Sequence, residues 1–158
     1  MSSPELTIVP ADHPSLDDGI AAFADALRRE TRYFGRRGER ASRPMPSLVR
    51  RLTTRRDLRL AGLVGGEVVA LAAIDRAAPG GAELLIAVAE LWRGRGLALT
   101  IGRELVALAT ERGVSRVVLR ASYRWSDVRA AGEALGLQSV DLGGGRLAFV
   151  RQLDRRSA

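Results

Sequence analysis

Residues 82–98 read AELLIAVAELWRGRGLA, and their order decides how the rest of the chain is read. An apolar run, Leu84-Leu85-Ile86-Ala87-Val88, leads into a short turn holding Arg93-Gly94-Arg95-Gly96-Leu97-Ala98, and a long amphipathic stretch follows to Arg112. The pattern predicts a strand, a Gly- and Arg-rich turn, and a helix opening directly from that turn. A helix N-terminus leaves backbone N–H groups unpaired and carries the positive end of the helix dipole, so the turn is suited to phosphate. Gly94 and Gly96 spare the approach of an anion from the bulk of a Cβ.

Two familiar phosphate motifs are excluded by the residues themselves. A dinucleotide fingerprint needs three glycines spaced G-x-G-x-x-G and an acidic residue about 20 positions later; Gly94 and Gly96 fit the first two, but position 99 is Leu. A P-loop needs a Gly-Lys-Ser/Thr end, and the chain has no lysine. What remains is R-x-x-G-x-A, from Arg93 to Ala98.

With Arg93-x-x-Gly96-x-Ala98, Ala82-Glu83 before the strand and Trp92-Arg93-Gly94-Arg95-Gly96-Leu97 after it, the chain resembles the GNAT superfamily of acetyl-CoA-dependent N-acyltransferases. Within it the chain is most similar to the GNAT domain of bacterial protein lysine acetyltransferases. The stretch Leu27 to Phe34 loosely resembles the region following their first helix. The likeness extends from about Leu6 to Arg151, with motif-grade residues only in 82–112.

The resemblance implies an α/β (α+β) GNAT fold: a mixed central sheet flanked by helices, with a splayed strand pair forming the acetyl-CoA cleft. It implies acetyl-CoA as co-substrate and no metal. It places the pyrophosphate on Arg93, Gly94, Arg95, Gly96, Leu97 and Ala98, and the pantetheine arm on the backbone of Ile86, Ala87 and Val88. It makes the Val88 N–H the donor to the thioester carbonyl, and Glu83 the general base that takes a proton from the amine acceptor. Many members carry a Tyr in the helix before the last hairpin, four residues ahead of a Gly-Phe; here Gly136-Leu137 stands for that pair, which puts Gly132 at the Tyr position and Trp125 at a usual Asn. Tyr123 and Ser122 stand nearby in sequence as other sources of a proton for the leaving thiolate. These departures leave room for an alternative: a weak or inactive acetyl-CoA-binding module acting as a sensor or regulatory partner.

A chain of 158 residues suits one domain, taken over 1–158, with a core large enough for stability. Apolar residues make up 46% and aromatics only 4%, so Leu, Val, Ile and Ala must build that core. With no cysteine, disulfides, thiolate metal ligands and cysteine nucleophiles drop out together. The first residues carry neither a charged nor an apolar signal region, and no apolar run reaches the roughly 18 residues of a membrane span; a cytoplasmic enzyme with no membrane partner is expected. The net charge of +7 is carried by arginine. Such charge raises nucleic acid as a partner, but only Tyr33-Phe34 offer aromatic interleaving, and a ligand with several phosphates uses the charge as well. A protein substrate and a homodimer through the last strands stay open.

Along the chain, Leu6–Val9 reads as a strand, Leu16–Glu30 as an amphipathic helix, and 32–46 as a basic loop. Ser47 caps a short helix to Leu52, and 58–64 and 67–74 form a hairpin about Gly65-Gly66. Residues 75–81 read as a loop, 82–88 as a strand, 96–112 as the phosphate-facing helix, and 116–121 as a strand. A helix is expected over 125–135 and a final hairpin from Val140 to Arg151. Strand alternation puts Glu83, Leu85 and Ala87 on one face and Leu84, Ile86 and Val88 on the other. Glu90 in the turn and His13, the single histidine, are the other candidate bases. A cationic acceptor would be helped into this basic protein if Glu83, Asp75 and Glu90 gathered at its mouth.

Overall fold

A computed structural model describes residues 5–36, 44–54, 58–77, 81–122, 130, 132–143 and 146–153. Seven strands form one mixed sheet in the order β1-β2-β3-β4-β5-β7-β6: β1 (Leu6–Pro10), β2 (Arg59–Val64), β3 (Glu67–Asp75), β4 (Ala82–Val88), β5 (Arg116–Ser122), β6 (Gln138–Gly143) and β7 (Arg146–Gln152). Every neighbouring pair is antiparallel except β4 and β5, which run parallel. The β2–β3 hairpin turns on Gly65 and Gly66, at φ +57° and +81°, values that glycine adopts without the Cβ strain other residues meet.

Helices α1 (Asp17–Arg36) and α2 (Pro44–Thr53) cover one face of the sheet, and α3 (Leu97–Glu111) the other. Ile20, Phe23, Ala24 and Leu27 of α1 and Val49 and Leu52 of α2 pack with Leu71, Ala73, Leu85 and Ala87. On the opposite face Leu97, Ile101, Leu105 and Ala109 of α3 pack on Leu84, Ile86 and Val88, with Leu119 and Phe149 from the second half of the sheet. The alternation read from β4 therefore holds residue by residue. Phe149, on β7, is fully buried and is the largest such side chain among the described residues.

Strand ends shift by one or two residues from expectation, and two helix boundaries differ by more. Helix α1 runs on to Arg36 rather than stopping at Glu30; arginines are good helix formers, and they outweigh the single Gly35. Helix α2 begins at Pro44, ahead of Ser47, because proline in a first helical turn has no N–H to leave unpaired and a φ already suited to the helix. The part of the expected basic loop over 37–43, most of the expected helix 125–135, Tyr123, Trp125 and the loop tip 78–80 lie outside the described residues. Helix α3 ends as read: Gly113 sits at φ +78°, and Val114 N–H returns to the Ala109 carbonyl at 3.0 Å.

Candidate active site

The β4–β5 pair opens almost as soon as it forms. Only Ala82↔Val117 and Glu83↔Val118 are in register, although β4 continues for five residues beyond and β5 for four. The direction of the β4 backbone past that point follows from its other neighbour. Ala89 N–H donates to the Val69 carbonyl at 2.8 Å, which sets the phase of the β3–β4 ladder. Residues 83, 85 and 87 exchange hydrogen bonds with β3, and the N–H and C=O groups of Leu84, Ile86 and Val88 point to the β5 side. Past Glu83 the ladder supplies no partner there, so Ile86 and Val88 direct their N–H groups into a widening gap.

The gap runs toward the N-terminus of α3, the end of the helix that attracts negative charge. Between them lie a short 3-10 turn (Glu90–Trp92) and the glycine loop. Gly94 and Gly96 stand at φ +75° and +82°, and a Cβ built on either meets nothing within 4 Å. These positions thus need glycine for the left-handed backbone, and the space before them is open as well. Gly96 is the N-cap of α3 and supplies no capping side chain, and no acidic residue occupies the first turn. The first helical bond is Thr100 N–H to the Gly96 carbonyl, 3.1 Å, so the N–H groups of Leu97, Ala98 and Leu99 precede the helix ladder. Leu97 and Ala98 bury their side chains in the core and face the loop only with their backbone.

Arg93 and Arg95 play different structural parts. Arg93 turns back and donates from Nε to the Val88 carbonyl at 3.1 Å. Arg95 is exposed, with its guanidinium 4.8 Å from the centre of the Trp92 ring.

Glu83 is a buried carboxylate, 6% exposed, on the face covered by α1 and α2. Its cross-strand partner is Asp75, also buried. Two like charges directly opposite on one face repel, and Arg51 from the last turn of α2 resolves this. Arg51 Nη2 donates to Asp75 Oδ2 at 2.9 Å and to Glu83 Oε2. Burial is the largest influence on Arg51 and disfavours its charge, but the hydrogen bonds and charges of Glu83 and Asp75 outweigh it and raise its pKa above the ordinary value. Asp75 Oδ1 accepts from Ala77 N–H at 3.1 Å, which shapes the start of the β3–β4 connection.

The expected gathering of three acids is only partly present. Glu83 and Asp75 share one guanidinium, while Glu90 stands exposed beyond the other end of β4. His13 is exposed and bonds Ser15 beside it. Gly132 lies against Phe149, where an added Cβ would come within 3.0 Å of the ring.

A family model described as Acetyltransferase (GNAT) family matches residues 21–130. The chain belongs to the GNAT family of acetyltransferases. No curated relative matches its sequence, but solved structures share the fold. The GNAT domain of S. lividans PAT superposes with a TM-score of 0.70 at 20% identity, covering 96% of this chain and 92% of that one. The protein yncA of Salmonella typhimurium, solved with its cofactor acetyl-CoA, gives 0.70 at 17% identity, covering 97% and 96%. The ribosomal-protein-S18-alanine N-acetyltransferase of Escherichia coli gives 0.60 at 15%, covering 95% of each. The mixed seven-stranded sheet with flanking helices is thus the GNAT fold, and the residues expected to form its site fall into two groups at opposite ends of β4. The glycine loop and Val88 lie at one end, and Glu83 at the other. Arg51 is the residue that sequence reading missed, being one of four arginines between 50 and 56 with nothing in their spacing to single it out.

Proposed function

We propose that this GNAT protein is an N-acetyltransferase that passes the acetyl group of acetyl-CoA to a primary amine, either a protein lysine or a small amine. The opening of the β4–β5 ladder immediately after Glu83↔Val118 carries the reading. It leaves main-chain donors facing a gap that leads to an uncapped, acid-free helix N-terminus. That combination suits a long ligand with amide groups along its length and phosphate at one end.

The residues fit acetyl-CoA as follows. The N–H groups of the 94–98 loop and the first turn of α3 take the pyrophosphate, with Arg95 exposed beside them. Ile86 and Val88 line the pantetheine arm through their backbone, while Ala87, expected to join them, pairs its own backbone with Leu71 of β3. Bound there, acetyl-CoA supplies the acyl carbon, to which the amine forms a C–N bond as the C–S bond breaks and the thiolate leaves. Val88 N–H donates to the thioester oxygen, where negative charge builds; such a donor is worth about 3–4 kcal/mol. Arg93 draws the Val88 carbonyl aside, so the strand end presents a donor to that oxygen.

The acceptor enters from the α1–α2 face, on which the Glu83 side chain lies. Glu83 and Val88 are five residues apart on one strand, about 16 Å at the usual rise. Glu83 therefore accepts the ammonium proton through a chain of waters and not by direct contact with the amine. Phe149 fills the space a Tyr at 132 would need, and the leaving thiolate takes its proton from water.

Calorimetric titration of acetyl-CoA into the wild-type protein and Gly96→Glu tests the cofactor half of this reading. Binding to wild type that is lost in the folded variant supports it; no binding to wild type overturns it. Turnover on a panel of amines then separates an enzyme from a module that only binds acetyl-CoA.

A further inference from the structure

Two buried carboxylates placed opposite each other on neighbouring strands are an unfavourable arrangement for a sheet. Each loses hydration, and each repels the other. Apolar residues at the same places would serve stability at least as well, as buried ion pairs generally do no better than well-packed hydrophobic substitutes. Yet this chain brings a guanidinium from a separate element, α2, to hold both. The contacts form a series: Ala77 N–H fixes Asp75 through Oδ1, Asp75 Oδ2 fixes Arg51 Nη2, and the same Nη2 fixes Oε2 of Glu83. One carboxylate therefore orients the guanidinium, and the guanidinium orients the other carboxylate. The Arg51 side chain is also the most exposed of the three, at 26% against 12% for Asp75 and 8% for Glu83. It belongs to α2, on the face from which the acceptor is proposed to arrive.

We infer that Arg51 is a positioning residue of the transfer reaction, holding the Glu83 carboxylate in one orientation toward the acceptor, with Asp75 as its anchor. The inference rests on the proposed role of Glu83. It is distinct from the acetyl-CoA contacts, which lie at the other end of β4. An electrostatic spacer would only need to cancel charge, whereas a positioning residue must supply a directed donor.

A double substitution separates these two roles. Arg51→Ala removes the guanidinium shared by two facing carboxylates and lowers both thermal stability and kcat. Adding Asp75→Asn removes the repulsion, so Arg51→Ala/Asp75→Asn recovers stability. We expect its kcat to stay depressed by about 100-fold, the scale of a displaced reacting group, with acetyl-CoA affinity by calorimetry unchanged. Arg51→Lys, which keeps the charge with a different donor geometry, recovers part of kcat. A double variant with wild-type kcat would overturn the inference while leaving the acetyltransferase reading intact. Absence of turnover by the wild-type protein on any amine would overturn both. If Arg51→Ala alone does not fold, the double variant and Arg51→Lys decide the matter.

Discussion

Arg93 Nε and the carbonyl of Val88 meet at 3.1 Å, tying the first residue of the glycine loop to the last residue of β4. The loop proposed to face the ligand phosphate and the strand end proposed to face the thioester are therefore one unit. A side chain that would otherwise read as a phosphate ligand acts here first as a brace on the backbone.

Replacing Arg93 with Met should loosen that brace while keeping much of the aliphatic stem. On the proposed reading kcat falls by about tenfold, a fraction of what loss of the oxyanion donor itself would do. The acetyl-CoA KM rises with it. Arg93→Met with kcat unchanged and only KM raised would assign the residue to binding alone. Steady-state kinetics with acetyl-CoA varied at saturating amine gives the answer.

Gly96 offers a separation of backbone strain from charge. Its φ of +82° with open space around the Cβ position means that Gly96→Ala meets no clash and loses about 1–2 kcal/mol through the left-handed backbone alone. Gly96→Glu adds a negative charge at the positive end of α3. Thermal unfolding should find the two variants similarly destabilised. Calorimetry should find acetyl-CoA binding retained in Ala and abolished in Glu.

Glu83→Gln keeps the shape of the side chain and removes the proton acceptor. The expected result is a kcat lower by about 100-fold or more, with acetyl-CoA affinity unchanged. Retained turnover in this variant would remove Glu83 from the chemistry and leave it as a structural partner of Arg51.

Restoring a tyrosine at 132 should fail on packing grounds. Gly132→Tyr drives its Cβ to within 3.0 Å of the Phe149 ring, and overpacking of this kind costs about 1–3 kcal/mol or more. We expect a lower melting temperature and no gain in kcat. The paired change Gly132→Tyr/Phe149→Ala should fold no better, since it empties a fully buried position on β7.

The strand-turn-helix around Arg93–Ala98 was legible because its signals are local: an apolar run, two glycines at fixed spacing and a helical stripe. The two faces of β4 were legible for the same reason, since alternation needs no tertiary contact. The end of α1 was not legible, because the glycines and prolines of 32–46 mark a loop while helix propensity carries the helix past Gly35 to Arg36. The partner of Glu83 was out of reach. Arg51 lies 32 positions away on another element, and only the packing of α2 on the sheet picks it from its neighbours. The same holds for Gly132, whose want of a side chain makes sense only against a ring 17 positions later.

The early parting of β4 and β5 also makes the sheet mechanically two sheets. Strands β1 to β4 form one leaf and β5, β7 and β6 the other, joined in the ladder by two residue pairs and bridged from one side by the packing of α3 and its neighbours. Such a seam is where opening motions should concentrate, because few backbone bonds resist them. A ligand lying along it fastens the leaves to each other, and its binding free energy becomes rigidity between them. Slow amide exchange on both sides of the seam would then report occupancy, even in a variant that transfers nothing.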